Sequence, residues 1–382
     1  MTNLTALKNN LDRFLMRRVD EGGIPGVDCS VFHHHKEVYR FRYGYANIEE
    51  QIPITENTLY NIYSNSKVIT CTAALQLFEQ GEFVLDDPLY RFFPSMKNLT
   101  VMNEDGSARP AQNHIRIRDL FRMTSGIRTG GTDSSNKIVR RIMEEDGGVC
   151  PLERLPDYLA EVPLLFEPGT EYNYGLSHEL LGSLVAKITG MSFTAYLRKY
   201  IFDPLGMTNT AFRLEDCVSK ELAVQYDCNP ETGECINRGA PNCLVPKFLT
   251  ESGTGGLISS VDDYNKFQEA LCTGDTILRR STINLMRQDQ LSGKLRDGYG
   301  GTPMGWGYGL GVRMYRDPGL CGMPIADFKP GFTPFGWGGA AGTYGSIDPE
   351  NEITIFYAQH AFSTDEGLTH NGLRNIIYAS LL

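Results

Sequence analysis

The chain has 382 residues, 41% apolar, 21% charged and 10% aromatic, a balance that supplies ample core material and excludes disordered and fibrous proteins. Lys and Arg total 36 against 46 Asp and Glu, and the formal net charge of −10 opposes attraction to phosphate backbones and anionic lipid. With no basic stripe, and no apolar run near the roughly 20 residues that span a bilayer, neither nucleic acid nor membrane is an expected partner.

The opening segment, residues 1–23, lacks the basic, apolar and small-residue order of an export signal, so a cytoplasmic location is expected. Its Leu7, Leu11, Phe14 and Leu15 recur at helical spacing, and Gly22-Gly23 provides a stop. Val27–His33 and Glu37–Tyr43 predict two strands joined by a short polar turn, with a further extended stretch near Leu59–Tyr63. The triplet His33-His34-His35 falls at the hairpin tip. Consecutive strand residues alternate faces, so the three cannot all converge on one metal ion.

From Ser64 to Gly81 the pattern becomes a buried helix, with Val68, Cys71, Leu75 and Phe78 on one side. Residues 85–250 carry helical segments at Arg116–Met123, Pro156–Glu161, His178–Thr189 and Phe193–Ile201, separated by polar and Gly/Pro-rich loops. Beyond 250 short strands return at Gly307–Met314, Gly342–Ile347 and Ile353–His360, before a last helix at Gly372–Leu381. A single core stops growing at roughly 250–300 residues, so two joined units are expected: a discontinuous sheet domain of 1–84 and 251–382, and a mostly helical domain of 85–250.

Nine cysteines without a CxxC pair argue against a full disulfide framework and against a zinc site. Free thiols in a reducing compartment are expected. One bridge, or a metal site of irregular spacing, within Cys228, Cys235 and Cys243 is the alternative.

The chemistry concentrates at Ser64-Asn65-Ser66-Lys67, which places a hydroxyl and an amine at i and i+3 where a strand hands over to a helix. A serine hydroxyl is inert at neutral pH until a neighbour takes its proton, and an adjacent lysine amine is suited to do so. Unpaired amides at the helix N-terminus can in turn hold an oxyanion. Ser134-Ser135-Asn136-Lys137 matches the same spacing, but it follows a polar Gly-rich loop and reads as a helix N-cap. His360 invites a Ser-His-Asp scheme, yet the chain has no G-x-S-x-G turn, so His360 reads as structural or as a supporting residue. Asp86 and Asp87, followed by Pro88, read as a turn and cap rather than an acid/base pair.

Several further motifs accompany Ser64 and Lys67. They are Gly81-x-x-x-Leu85-Asp86-Asp87-Pro88-Leu89, Ile117-Arg118-Asp119-Leu120 leading into Met123-Thr124-Ser125-Gly126, and Pro168-Gly169-Thr170 leading into Tyr174-Gly175-Leu176-Ser177. Gly255-Gly256-Leu257-Ile258-Ser259 and Trp337-Gly338-Gly339-Ala340-Ala341-Gly342-Thr343 complete the set. On these residues nearly the whole chain resembles the serine β-lactamase and penicillin-binding protein superfamily, and within it the class C-like esterases called family VIII carboxylesterases.

The resemblance implies an α/β (α+β) fold of the β-lactamase/transpeptidase type, with an antiparallel sheet, flanking helices and an inserted helical region. It also implies catalysis by Ser64, Lys67 and Tyr174, an oxyanion hole from the amides of Ser64 and Ala340, and no metal or other cofactor. Where penicillin-recognising relatives carry a Lys-Thr/Ser-Gly triplet, this chain has Trp337-Gly338-Gly339, and Leu176 stands where β-lactamases usually carry Asn. Both departures favour small neutral esters over β-lactams. Trp337 reads equally as core packing or as the wall of an acyl pocket. The expected function is therefore a serine hydrolase forming an acyl-enzyme on small carboxylic esters. A β-lactamase, a D,D-peptidase, an acyltransferase and a catalytically silent sensor on the same fold are the alternatives; the oligomeric state is open.

Overall fold

Two distant parts of the chain build one sheet. Near the start lie β1 (Gly26–His33), β2 (Lys36–Asn47) and β3 (Ile52–Pro53). Near the end lie β4 (Trp306–Tyr308), β5 (Arg313–Tyr315), β6 (Phe335–Gly338), β7 (Tyr344–Asp348) and β8 (Ile353–Ala358). The computed structural model describes residues 3–128, 132–229, 231–324 and 329–382, with backbone alone at 132–137. The strands run in the order β4-β5-β6-β7-β8-β1-β2-β3 with every neighbour antiparallel, and the seam between the two parts pairs Asp28 with Ala358 through His33 with Ile353.

Five longer helices frame this sheet: α1 (Leu4–Asp20), α2 (Ser66–Glu79), α3 (Ser177–Thr189), α4 (Val261–Thr273) and α5 (Glu366–Leu381). Strand alternation sends Val27, Cys29 and Val31, with Ile353, Ile355 and Tyr357, to the face covered by α1 and α5. Phe356 and Ala358 point to the other face and share a larger core with α2, α3 and α4. Both faces are therefore covered, which is why β8 is buried throughout rather than alternating. The first helix follows its predicted pattern, with Leu7, Leu11, Phe14 and Leu15 buried and the Asn3 side chain accepting from the Ala6 amide at 2.9 Å.

The structure alters several expectations. The stretch Gly307–Met314 is two strands, β4 and β5, because Gly311 at φ +82° reverses the chain between them. The predicted strand to His360 ends at Ala358, and Ala361–Phe362 swings away to pair in parallel with Gln225–Cys228. The helix from Phe193 passes into a π turn at Arg198–Phe202. Seven cysteines are free, but Cys228 and Cys235 are joined, correcting the expectation of free thiols throughout. The antiparallel hairpin of Gln225–Cys228 and Cys235–Gly239 sets the two residues directly opposite one another, with Cα atoms 4.1 Å apart, within disulfide reach.

Other expectations find their place. His34 and His35 form the β1–β2 turn with positive φ, and of the three histidines His35 alone approaches Glu269 and Cys272, with ligand atoms within 4.8 Å of one another. His360 is buried, with Nε2 2.9 Å from the Tyr45 carbonyl oxygen. Asp87 accepts from the Val84 amide at 2.9 Å, and Asp86 pairs with Arg116 and Arg118. Ser134 lies inside the helix Thr132–Glu145 rather than at its cap, and the Ser134 and Lys137 side chains lie outside the described residues.

Candidate active site

Local pairing places Ser64. Tyr60 and Asn61 pair antiparallel with Ser259 and Ile258, and the Ile62 amide donates to the Leu257 carbonyl at 3.1 Å. The chain then turns sharply through Tyr63, whose φ of +43° is a left-handed conformation that costs a bulky side chain free energy. Side-chain packing holds it there: the Tyr63 hydroxyl donates to Gln225, and its ring meets Phe362 edge-on at 5.7 Å. A 3-10 turn over Tyr63–Asn65 leads directly into α2. The turn leaves Ser64 half-buried between a buried Tyr63 and a buried Asn65, so of the three only Ser64 is open to solvent.

One helical turn on, Lys67 is buried, and its ammonium donates to Ser64 Oγ at 3.0 Å and to the Thr254 carbonyl oxygen at 2.6 Å. It also lies 4.7 Å from the centre of the Tyr174 ring, in cation–π range. Among the described residues, no carboxylate is within ion-pair distance of it. Tyr174 presents its ring face to the lysine and stacks on Trp337 with centroids 5.6 Å apart and planes 16° apart. Trp337 Nε1 donates to the Tyr174 hydroxyl oxygen at 3.1 Å. An indole N–H only donates, so the phenol oxygen is the acceptor in this bond and its own hydrogen is directed elsewhere.

The strand β6 presses its end against the nucleophile turn. Asn65 Nδ2 donates to Thr343 Oγ1 at 2.8 Å, and the Gly339 amide donates to the Thr343 carbonyl at 2.8 Å. Gly339 is buried in this contact: a Cβ there would lie 2.4 Å from the Ile62 carbonyl oxygen, so only glycine permits the approach. Gly338 is half-buried, and the exposed Ala340 follows on the rim. The structure thus gathers Ser64, Lys67, Tyr174 and Trp337 through direct contacts, and brings Gly338, Gly339 and Ala340 alongside. Leu176 is half-buried against the core behind them.

Sequence reasoning missed the layer that supports Lys67. Glu179, fully buried on α3, accepts from Ser252 Oγ at 2.5 Å, from the Gly253 amide at 2.8 Å and from Thr254 Oγ1. It thereby fixes the loop whose Thr254 carbonyl holds the lysine. Burial pushes the Glu179 carboxyl up, against the opposing pull of these three donors and of Lys67. The adjacent His178, whose Nε2 is 3.1 Å from the Phe121 carbonyl oxygen, is pushed down to about 3 by burial, and the Lys67 charge adds to the effect. An acid three positions after Leu176 was the available signal, but many surface helices begin with such an acid. Missed too was an aromatic wall: Tyr308 meets Trp337 edge-on at 5.4 Å, and Tyr172 and Tyr299 pack behind it.

A half-buried serine beside a buried amine and a tyrosine suits acyl transfer, and comparison with known proteins agrees. Esterase EstB of Burkholderia gladioli is 26% identical over 98% of this chain and 96% of its own length. The solved structure of EstCE1, described as a hydrolase with promiscuous acyltransferase activity, matches 98% of this chain and 99% of its own with a TM-score of 0.79 and 25% identity. Simvastatin synthase (LovD) from Aspergillus terreus shares the fold over 97% of both chains, with a TM-score of 0.77 and 23% identity. The architecture is that of the β-lactamases and transpeptidases, and its relatives include hydrolases of the esterase type. The model of the beta-lactamase family matches residues 11–378, and the chain belongs to that family.

Proposed function

We propose that the protein is a serine hydrolase that cleaves small carboxylic esters through an acyl-enzyme on Ser64. The observation that carries this reading is the 3.0 Å contact between Ser64 Oγ and the buried Lys67 amine. In its neutral form the amine takes the hydroxyl proton as Ser64 Oγ attacks the ester carbonyl carbon. The amides of Ser64 and Ala340 hold the oxyanion that forms. As it collapses, the carbon–oxygen bond to the alcohol breaks, and Tyr174 passes a proton to the departing oxygen. Its hydroxyl hydrogen is free for this because Trp337 occupies the oxygen as a donor. Water then attacks the acyl-enzyme, giving one acid and one alcohol per ester and returning the proton to Ser64. No step calls for a metal or other cofactor.

Esters are preferred over β-lactams because the strand beside the nucleophile carries Trp337-Gly338-Gly339 and no cation. A substrate carboxylate entering there forfeits a charge-assisted hydrogen bond of about 1.5–3 kcal/mol. The names of EstB and EstCE1 support the esterase reading, and EstCE1's description favours acyl transfer to an alcohol as a second outcome of the same acyl-enzyme.

Fluorophosphonate treatment followed by intact-mass and peptide analysis tests the proposal. One adduct, on the peptide holding Ser64, is expected, together with turnover of p-nitrophenyl butyrate that exceeds that of nitrocefin in kcat/KM by a factor of about 10². An adduct on Ser134, full activity in Ser64→Ala, or no adduct at all overturns it, the last in favour of a silent binding protein. Equal efficiency on the two substrates overturns the ester preference.

A further inference from the structure

Behind the nucleophile lies an apolar cavity of about 330 Å³ that none of the proposed chemical steps uses. Its walls come from the helix Leu155–Leu159, the segment through Leu164, and the loop through Val245 and Phe248; Leu176 and Thr254 line it on the side of the site. Thr254 is the residue whose carbonyl takes the Lys67 hydrogen bond, and Leu176 lies two positions from Tyr174, so the cavity borders residues that hold or adjoin the reacting groups. Its polar lining is small. Both carboxylate oxygens of Glu179 are bonded to Ser252, Gly253 and Thr254, and among the described lining residues Arg128 is the one cation.

We infer that this cavity binds the acyl chain of the substrate and sets a preference for straight aliphatic acyl groups of about six to ten carbons, since a methylene takes up about the 30 Å³ of one liquid water. The inference rests on the acyl-enzyme reading above and adds to it the class of acyl group. The acyl chain, not the alcohol, is assigned to the cavity because of how the two sides of the site differ. The acyl group stays bound to Ser64 through both halves of the reaction, so a recessed apolar site serves acylation and deacylation alike. The alcohol must leave between them, and the rim at Tyr174 is 38% exposed. A chain held in the recessed cavity would retain the alcohol.

The test uses the full chain and two series of esters, with Ser64→Ala as the background. In p-nitrophenyl esters from acetate to decanoate, kcat/KM is expected to rise about fourfold per methylene up to octanoate, as burial of roughly 0.8 kcal/mol per methylene gives. In alkyl acetates of the same chain lengths it is expected to change less than about threefold in total. Val245→Trp on the loop and Leu159→Trp on the helix fill the cavity from different sides. Each is expected to lower the octanoate-to-acetate ratio by about tenfold or more, a ratio that cancels any loss of folded protein. A flat or falling acyl series with Ser64-dependent acetate hydrolysis refutes the cavity assignment and leaves the hydrolase reading standing. Dependence on the alcohol chain instead, or an unchanged ratio in both variants, also refutes it. Absence of any Ser64-dependent hydrolysis refutes both readings.

Discussion

Gly339→Ala isolates the contact between β6 and the nucleophile turn. The added methyl carbon would lie 2.2 Å from Thr343 Oγ1 and 2.4 Å from the Ile62 carbonyl oxygen. Non-bonded carbon and oxygen settle roughly 3.5 Å apart, so one of the two segments must retreat by about 1 Å. The Thr343 side chain is held by Asn65, and the Ile62 carbonyl is backbone two residues before Ser64. The displacement therefore falls on the pair of amides, at Ser64 and Ala340, proposed to hold the oxyanion. Losing one such donor costs about 10²–10³ in kcat. Overpacking of this kind costs stability by roughly 1–3 kcal/mol as well, so melting is measured beside p-nitrophenyl butyrate kinetics to normalise for folded protein. Gly338→Ala is the comparison, because its Cβ would meet only the Thr343 carbonyl oxygen, at 3.3 Å. Its loss in kcat is expected to be smaller by at least about tenfold. A folded Gly339→Ala protein with kcat within about threefold of the parent, or equal losses at both glycines, refutes the reasoning.

Tyr174→Phe keeps the ring over Lys67 and the stack on Trp337 but removes the hydroxyl; kcat is expected to fall by about 10²–10⁴, and an effect confined to KM would make the tyrosine a binding residue. Trp337→Phe removes the donor to that hydroxyl while keeping an aromatic ring beside Tyr174, and a loss of about fivefold is expected, the worth of one hydrogen bond of about 1 kcal/mol. His360, pushed down to about 4 by burial, is neutral in the folded chain. Its contribution to stability is complete above the ordinary histidine value and is lost as the pH falls toward 4, which amounts to about 2 kcal/mol between pH 7 and pH 5. Melting curves of His360→Gln, whose amide can still donate to Tyr45, should flatten over that interval by this amount relative to the parent. Asp28 and Glu366, both pushed up to about 7 by burial, act in the opposite sense in both proteins and cancel in the difference. Identical slopes would show that His360 does not report on acid unfolding.

The elements legible in the sequence were those whose burial is one-sided or complete. Leu7, Leu11, Phe14 and Leu15 mark a helix with one buried stripe, and Ser64 with Lys67 sits on a local spacing of one turn. The boundaries that failed were set by partners remote in the chain. Nothing near Ala361 announces that it leaves the sheet to pair with Tyr226, and the eight-residue run from Gly307 hides a reversal at Gly311. The pairing of Cys228 with Cys235 depends on hairpin register, which cysteine spacing alone does not encode. At the site, motif residues were legible because chemistry fixes their types. Glu179 and the wall of Tyr172, Tyr299 and Tyr308 were not, because a buried acid or tyrosine is recognised only once its neighbours are known.

The seam between β1 and β8 also governs when the protein can become active during synthesis. Ser64 and Lys67 leave the ribosome early, but the strand that pairs with β1 lies more than three hundred residues after β1, at Ile353–Ala358. The two ends are tied further by the Asn3 amide, which donates to the Ser380 carbonyl at 2.9 Å, and by Arg18 Nε, which donates to Thr369 Oγ1 at 3.1 Å. Contacts of such long range carry the entropy of closing a very large loop, and they form late. A nascent chain therefore holds its nucleophile and amine without Trp337, without Ala340 and without a closed sheet. Docking of β8 and α5 holds back assembly of the site until those elements have been made.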